Sequence, residues 1–265
     1  MRIFTVDAFT NIPFSGNPAG VCILKEKISD NLMQLISKEI GYSETAFLIK
    51  TNGKYYIRWF TPKTEVNLCG HATLATAYVL FEYQFCDPTE RIELISKGGQ
   101  LNAKKVGKNI ELDIPQIFVN ETVSNTIIEQ AFDIQPVYIG KNDNRYLIEI
   151  DDYDKLLTLN PDFQLLKSAD LGRFIITVRS PDTKYDFVSR YFATGVGVLE
   201  DPVTGTAHCY LAPYWGKKLR KNLLVGFQAS ERSGTIECEL CTHNRVLLRA
   251  EAVIIHELIP KWKMF

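Results

Sequence analysis

Two eight-residue stretches decide the fold of this chain of 265 residues. They read Glu65-Val66-Asn67-Leu68-Cys69-Gly70-His71-Ala72 and Glu200-Asp201-Pro202-Val203-Thr204-Gly205-Thr206-Ala207. Glu, Gly and Ala recur at one constant offset, and each Gly precedes a run of residues that predicts a helix. Upstream, Arg58-Trp59-Phe60 is echoed by Arg190-Tyr191-Phe192. The repetition predicts two related lobes, residues 1–115 and 116–250, with Pro115 at the boundary.

Composition fits an ordinary globular protein, with 46% hydrophobic and 23% charged residues. The net charge of −1 gives no reason to expect a nucleic-acid partner or a membrane surface. No apolar run approaches the roughly 20 residues of a membrane span, and the beginning of the chain lacks the apolar stretch of a signal peptide. We therefore expect a cytoplasmic protein.

The pattern of breakers and apolar residues predicts many strands and few helices. Ser29-Asp30 begins a helix that ends near Ile40, before Gly41. The run from His71 to about Phe85 is apolar nearly all round, which is typical of a helix buried on most sides. Residues 122–132 read as a helix, and Thr235–Ile255 as a pair of strands. One buried helix per lobe predicts an α+β fold in which a curved, mostly antiparallel sheet or barrel wraps around that helix.

The two glycines at helix starts suggest a binding site for an anion. The first amides of a helix have no intrahelical partner, and the helix dipole is positive there. Glycine lets the backbone approach a ligand closely, so Gly70 and Gly205 could hold a carboxylate or a phosphate. The alternative is that each Gly only permits a tight turn into a packed helix.

Three side chains are candidates for proton transfer. Glu44 lies between Ser43 and an apolar run, where a carboxyl group is disposed to bind and release a proton. His71 follows Gly70 at a helix start, which disfavours a cationic imidazole and leaves a ring able to exchange a proton. Asp201 lies in the loop before the second helix. The alternatives are a solvated Glu44, a His71 that only bonds a loop, and a capping Asp201.

Other site signatures are lacking in the sequence. It has no phosphate-binding P-loop, no GxGxxG after a strand and no GxSxG, so nothing supports a nucleotide cofactor or a serine nucleophile. The four histidines share no metal-ligand spacing, and Cys238 and Cys241 lack a second pair that would complete a zinc site. We expect neither a cofactor nor a metal.

Six motifs occur together and resemble those of one known family. They are Val6-Asp7-Ala8-Phe9-Thr10, Phe14-Ser15-Gly16-Asn17-Pro18-Ala19, Ser43-Glu44-Thr45-Ala46-Phe47, Phe60-Thr61-Pro62, Cys69-Gly70-His71-Ala72-Thr73 and the stretch from Glu200 to Ala207. Their order and content are similar to the phenazine-biosynthesis PhzF-like isomerases, over about residues 1–215. The resemblance implies the diaminopimelate-epimerase fold, with two pseudo-symmetric lobes and a site in the cleft between them. It also implies that the C-terminal strand, within residues 251–265, rejoins the first lobe.

The resemblance further implies a function. The reaction characterised in that family is a proton-shift isomerisation of a dihydro-hydroxyanthranilate, without a cofactor and usually in a homodimer. The family's catalytic glutamate falls on Glu44, and its other polar site positions fall on His71, Asp201 and Thr206. We expect Glu44, His71 and Asp201 to be catalytic. We expect the substrate, a small carboxylate, to bind at Asn17, Gly70, Gly205 and Thr206.

The sequence departs from the related epimerases at one of two positions. Those enzymes place a cysteine before each helix-start glycine, whereas this chain has Cys69 and Thr204. A racemase with two thiols is therefore disfavoured, because it needs a base on each face of the reacting carbon. Two alternatives stay open: an epimerase that uses Cys69 with a partner other than a thiol, and a catalytically idle ligand-binding protein on the same scaffold.

Overall fold

The computed structural model describes residues 1–123, 125–194 and 199–261. The chain forms two compact units. The first consists of Met1–Asp113 and the C-terminal segment from Arg249 onward, and the second is Ile114–Leu248. Among the described residues, no helix is long and apolar enough to cross a membrane.

The first unit contains two helices and most of the N-terminal strands. Its elements are β1 (Arg2–Ala8), β2 (Asn17–Leu24), α1 (Asp30–Ile40), β3 (Thr45–Thr51), β4 (Lys54–Phe60), β5 (Glu65–Val66), α2 (Gly70–Glu82), β6 (Ile92–Ser96), β7 (Gly99–Val106), β8 (Asn109–Pro115, whose last residues pass the boundary) and the C-terminal β17 (Ala252–Leu258). The strands lie in the order β17-β1-β2-β3-β4-β6-β7-β8. Two neighbouring pairs are parallel, β2–β3 and β4–β6, and their crossovers contain α1 and α2.

The second unit repeats this scheme. Its elements are β9 (Asn120–Glu121), α3 (Thr126–Phe132), β10 (Tyr138–Asn142), β11 (Arg145–Glu149), α4 (Tyr153–Thr158), α5 (Phe163–Ser168), β12 (Arg173–Arg179), β13 (Phe187–Ala193), α6 (Gly205–Leu219), β14 (Leu223–Gln228) and β15 (Gly234–Cys241), with β16 (Arg245–Ala250) running past the boundary. The strand order is β9-β10-β11-β12-β13-β14-β15. Again two pairs are parallel: β11–β12, joined through α4 and α5, and β13–β14, joined through α6. The predicted α+β class is confirmed.

Among the described strands, the pairings form open mixed sheets and not closed barrels. Each repeated glycine begins a buried helix, as the sequence predicted. In α2, ten of the 13 residues are buried, and six of these ten are Ala, Leu or Val. In α6, Trp215 is fully buried and its indole Nε1 donates to Thr177 Oγ1 of β12 at 3.0 Å. The second helix therefore packs against the face of its own sheet that carries Thr177.

The echo of Arg58 in Arg190 has a structural reason. In the first unit, Arg58 donates from Nε and Nη2 to the two carboxylate oxygens of Glu65, at 2.7 and 2.9 Å. In the second, Arg190 donates in the same way to Glu200, at 2.7 and 2.8 Å. Such a two-bond pairing fixes the geometry as well as the charge. We call each of these pairs, Arg58–Glu65 and Arg190–Glu200, an Arg–Glu fork. Each fork links the strand before a buried helix to the segment that leads into that helix.

Two predicted elements were wrong in extent or number, and one of the strands, β14, was not predicted. Thr235–Ile255 is not one pair of strands: β15 and β16 turn at 242–244, and a further strand, β17, begins at Ala252 and pairs with β1. The helix assigned to 122–132 begins only at Thr126, because Asn125 caps it by accepting from Ile127 N. β14 was missed, since its alternation Leu223–Gln228 follows the helix without a strong turn signal. Of the predicted C-terminal segment, 262–265 lie outside the described residues.

Candidate active site

Glu44 lies between the left-handed turn at Gly41 and the beginning of β3. Its backbone carbonyl accepts from Gly20 N of β2 at 3.2 Å, which fixes the backbone next to the parallel strand pair. Its side chain is 23% exposed, and Oε2 lies 3.5 Å from His71 Nε2. The carboxylate is therefore accessible from outside and in contact with a titratable ring.

His71 occupies the first turn of α2, and its side chain is 8% exposed. The N-cap residue Cys69 is extended, with φ −147° and ψ 111°, and its side chain makes no capping hydrogen bond. The first turn of α2 holds no acidic residue. The positive end of this helix is therefore not neutralised by its own side chains.

Glu44, Cys69 and His71 form one compact group. Their carboxylate oxygen, sulfur and ring nitrogen all lie within 4.8 Å of one another, and Cys69 Sγ is 3.5 Å from His71 Nδ1. These are donor types that bind zinc, although a structural zinc site needs a fourth ligand. The sequence does not reveal this donor set, because Glu44 is distant from Cys69 and His71 along the chain.

Two hydroxyl groups flank Glu44. The Oγ of Ser43 and the Oγ1 of Thr45 are buried and have no hydrogen-bond partner among the described residues. Thr45 packs closely on β2: a Cβ added to Gly20 would lie 2.7 Å from its Oγ1. Since buried polar atoms are normally satisfied, both hydroxyls are candidates to bind a ligand or a water. Sequence reasoning missed them, although their positions beside Glu44 were a usable signal.

The predicted binding residue Asn17 is the first residue of β2, opposite Ala8 of β1. It is 1% exposed. Phe14 N, in the turn before β2, donates to Asp7 Oδ2 at 2.8 Å. Asn17 is therefore held at the end of a hairpin whose turn is fixed by a buried carboxylate.

In the second unit, the start of α6 is held by a residue that the sequence did not single out. Gln228, at the end of β14, is fully buried. Its Oε1 accepts from Thr204 N at 2.8 Å, and its Nε2 donates to the carbonyl of Asp201 at 2.7 Å. Thr204 Oγ1 donates to Asp201 Oδ2 at 2.5 Å. The loop that carries Asp201 is thus fixed at both its ends.

The helix start beyond this loop resembles that of α2. Thr204 makes no side-chain capping bond to the helix, and the first turn, which contains Gly205 and Thr206, has no acidic residue. The structure therefore brings the predicted residues together in two groups. Glu44, Gly70 and His71 lie in the first unit, and Asp201, Gly205 and Thr206 lie in the second.

Two similar units, each with a mixed sheet and a buried helix that begins at a glycine, define a protein of the epimerase-fold class. The phenazine biosynthesis-like (PhzC-PhzF) family model matches residues 6–257. The chain is 48% identical over 255 residues to an uncharacterized isomerase of Halalkalibacterium halodurans, covering 96% of each chain. The chain belongs to the phenazine biosynthesis-like protein family.

Solved structures agree with this assignment. A putative phenazine biosynthesis PhzC/PhzF protein from Clostridium difficile superposes with a TM-score of 0.92, at 36% identity, covering 99% of this chain and all of that one. A Pseudomonas aeruginosa protein described as a "predicted epimerase" gives a TM-score of 0.78 at 19% identity, covering 99% of each chain, which shows the shared fold. The predicted family and fold are confirmed, and the names of the curated relatives support the isomerase class.

Proposed function

We propose that this protein is a cofactor-independent isomerase that moves a proton, and with it a double bond, on a small carboxylate. Glu44 removes a proton from a substrate carbon, the double bond shifts, and Glu44 or a group in contact with it returns a proton to another carbon. Atoms and electrons balance within the substrate, so the reaction consumes no co-reactant. The observation that carries the proposal is the partly exposed Glu44 carboxylate 3.5 Å from His71 at the unneutralised start of α2.

The residues around Glu44 support distinct roles. His71 assists the transfer, because its ring contacts both the carboxylate and the thiol of Cys69. The first amides of α2, at Gly70 and His71, stabilise negative charge that develops on the substrate. Asn17 is a binding residue. In the second unit, Asp201 orients the substrate, and the amides at Gly205 and Thr206 bind an anionic group.

The test is the exchange of substrate hydrogen with solvent deuterium, followed by NMR across a panel of small carboxylates that begins with dihydro-hydroxyanthranilate. With any substrate found, Glu44→Gln should lower the exchange rate by about a thousandfold, since a positioned acid–base group is worth roughly 10²–10⁴ in rate. Glu39→Gln is the matched control, because Glu39 is an exposed carboxylate on α1. A Glu44→Gln variant with near-normal exchange would refute the assignment of Glu44.

Removal of metal tests the cofactor-independent part of the proposal. The donor atoms of Glu44, Cys69 and His71 are close enough to bind an ion together. We expect dialysis against a chelator to leave the exchange rate unchanged. Loss of exchange that added zinc restores would instead make this group a metal site.

The position of Cys69 favours one second candidate, an epimerase that uses this thiol. Cys69 Sγ lies 3.5 Å from a ring nitrogen that could take its proton. If Glu44 is the base, Cys69→Ser keeps exchange within about tenfold of the native rate, a smaller loss than removal of an acid–base group causes. Loss of exchange in Cys69→Ser, together with deuterium in an inverted product, would favour the epimerase. The expected homodimer stays a prediction, to be checked by light scattering.

A further inference from the structure

Arg145 and Arg173 lie side by side in the second unit. They are register partners on the parallel strands β11 and β12, so their side chains leave the same face of the sheet. Because alternate residues of a strand share a face, Ile175 and Thr177 of β12 lie on the same face as Arg173. Thr177 Oγ1 accepts from the indole of Trp215 on α6. Arg145 Nη1 donates to the hydroxyl of Tyr210, also on α6, at 3.0 Å. Both guanidinium groups therefore belong to the face that α6 covers.

Neither arginine has a carboxylate partner among the described residues. Arg145 is partly buried, and its Nε is fully buried without a hydrogen-bond partner in the same described part of the chain. By contrast, Arg58 and Arg190 are each paired with both oxygens of a glutamate. A partly buried charge without a counter-ion is unfavourable, and a second like charge on the neighbouring strand makes it more so.

The surroundings of Arg145 suit a flat anionic group. Its guanidinium carbon lies 5.0 Å from the ring centre of Tyr210 and 5.9 Å from that of Tyr191. Burial raises the pKa of Tyr191, so its hydroxyl stays protonated and able to donate. An arginine fork matches the paired oxygens of a carboxylate or a phosphate, and aromatic rings on its faces hold it in plane.

We propose that Arg145 and Arg173 form an anion-recognition site, which binds the carboxylate or phosphate group of a ligand. The bound anion serves as the counter-ion of the two guanidinium groups. Tyr191 and Tyr210 hold the guanidinium of Arg145 in place. All four residues belong to the second unit, and none is Glu44 or its neighbours. The site would therefore survive a failure of the proton-transfer proposal, and the converse also holds.

The test is isothermal titration of the intact protein with two probes, inorganic phosphate and benzoate. Native protein should bind at least one of them, and the tighter probe shows whether the natural group is a phosphate or a carboxylate. Arg145→Gln and Arg173→Gln should each weaken that binding at least tenfold. Arg179→Gln, an exposed arginine at the other end of β12, is the control and should bind as the native protein does. Native protein that binds neither probe overturns the proposal.

A second measurement separates binding from a merely structural role. If Arg145 binds an anion, Arg145→Met without added anion should keep or raise the melting temperature of the native protein. The variant should also lose the increase in melting temperature that the probe gives the native protein. If Arg145 only supports the fold, the melting temperature falls. Should Arg145 variants not fold, Arg173→Gln decides: unweakened binding of both probes by that variant overturns the proposal.

Discussion

The two units use one set of strand pairings and differ in charge at the same position. In the first, Thr45 pairs with Phe60, and Phe60 pairs with Glu65. In the second, Phe174 pairs with Phe192, and Phe192 bridges to Glu200. Glu44, before Thr45, therefore corresponds to Arg173, before Phe174.

This difference shows that two units with the same backbone scaffold can carry side chains of different chemistry. The backbone elements that must pack recur in both units: parallel strand pairs, an Arg–Glu fork and a helix that begins at a glycine. The side chains near the starts of the buried helices and at the strand ends do not take part in this shared packing and differ between the two units. One unit places a carboxylate, a thiol and an imidazole at its helix start, and the other places two arginines on the corresponding face.

The largest expected difference in stability concerns the two forks. Arg190 Nη1 also donates to the carbonyls of Leu156, Leu157 and Leu159, and its side chain is 11% exposed. Arg190→Met should lower the free energy of unfolding by about 4 kcal/mol, because it leaves Glu200 and a helix end without their partner. Urea unfolding followed by tryptophan fluorescence measures it.

Arg58→Met is the matched variant for that experiment and should cost only about 1 kcal/mol. Arg58 is 26% exposed, and Glu65 keeps Lys97 as a partner after the substitution. Equal losses for the two variants would show that the forks are interchangeable despite their different surroundings.

The next difference lies inside the buried helices, where Thr73 of α2 corresponds to His208 of α6. Thr73 Oγ1 donates to the carbonyl of Cys69 at 2.5 Å, and His208 Nδ1 lies 2.9 Å from that of Thr204. Burial lowers the pKa of His208 from 6.5 to about 4, with the Thr204 carbonyl opposing the shift. The folded state therefore binds this proton more weakly than the unfolded state.

Stability from the neutral His208 is consequently present above pH 6.5 and is lost as the pH falls through about 4. The loss is about 3 kcal/mol, since one pKa unit is worth roughly 1.36 kcal/mol. His208→Asn should flatten the decline of stability between pH 6.5 and 4 when urea unfolding is repeated across that range. Parallel declines in variant and native protein would mean that carboxylates alone cause the acid sensitivity.

The smallest expected effect concerns how the helices in the β2–β3 and β11–β12 crossovers end. α1 is followed by Gly41 at φ 76°, whereas Asp170, after α5, has φ 53°. Gly41→Ala should cost about 1 kcal/mol, because a side chain strains the left-handed conformation. Asp170→Gly should gain up to about 0.5 kcal/mol, the relief of that strain less the entropy cost of glycine. Thermal unfolding of both variants tests whether a side chain in the left-handed conformation destabilises both turns.

Local signals predicted the elements that depend on local chemistry. Ser29 accepts from Leu32 N and Gly41 ends the helix, so α1 was predicted with its correct ends. Both glycine-led helices were predicted because each follows its own copy of a repeated motif. These are cases in which a few neighbouring residues determine the conformation.

Features set by distant residues were not predictable in this way. Gln228 bonds Thr204 from a strand that the sequence pattern did not reveal. Glu44, just before β3, meets Cys69 and His71, at the start of α2, because α2 packs against β2 and β3. The pairing of Arg145 with Arg173 depends on a register between strands separated by two helices. Such contacts follow from tertiary packing, which single-sequence patterns do not encode.

The pairing of β17 with β1 has a consequence for synthesis on the ribosome. Thr5 contacts His256, 251 positions later in the chain. At a translation rate of about 5–20 residues per second, β17 is synthesised on the order of ten to fifty seconds after β1. Meanwhile one edge of β1 presents unpaired backbone groups, a template on which a second nascent chain could add a strand. The first unit to be translated is therefore the last to be completed.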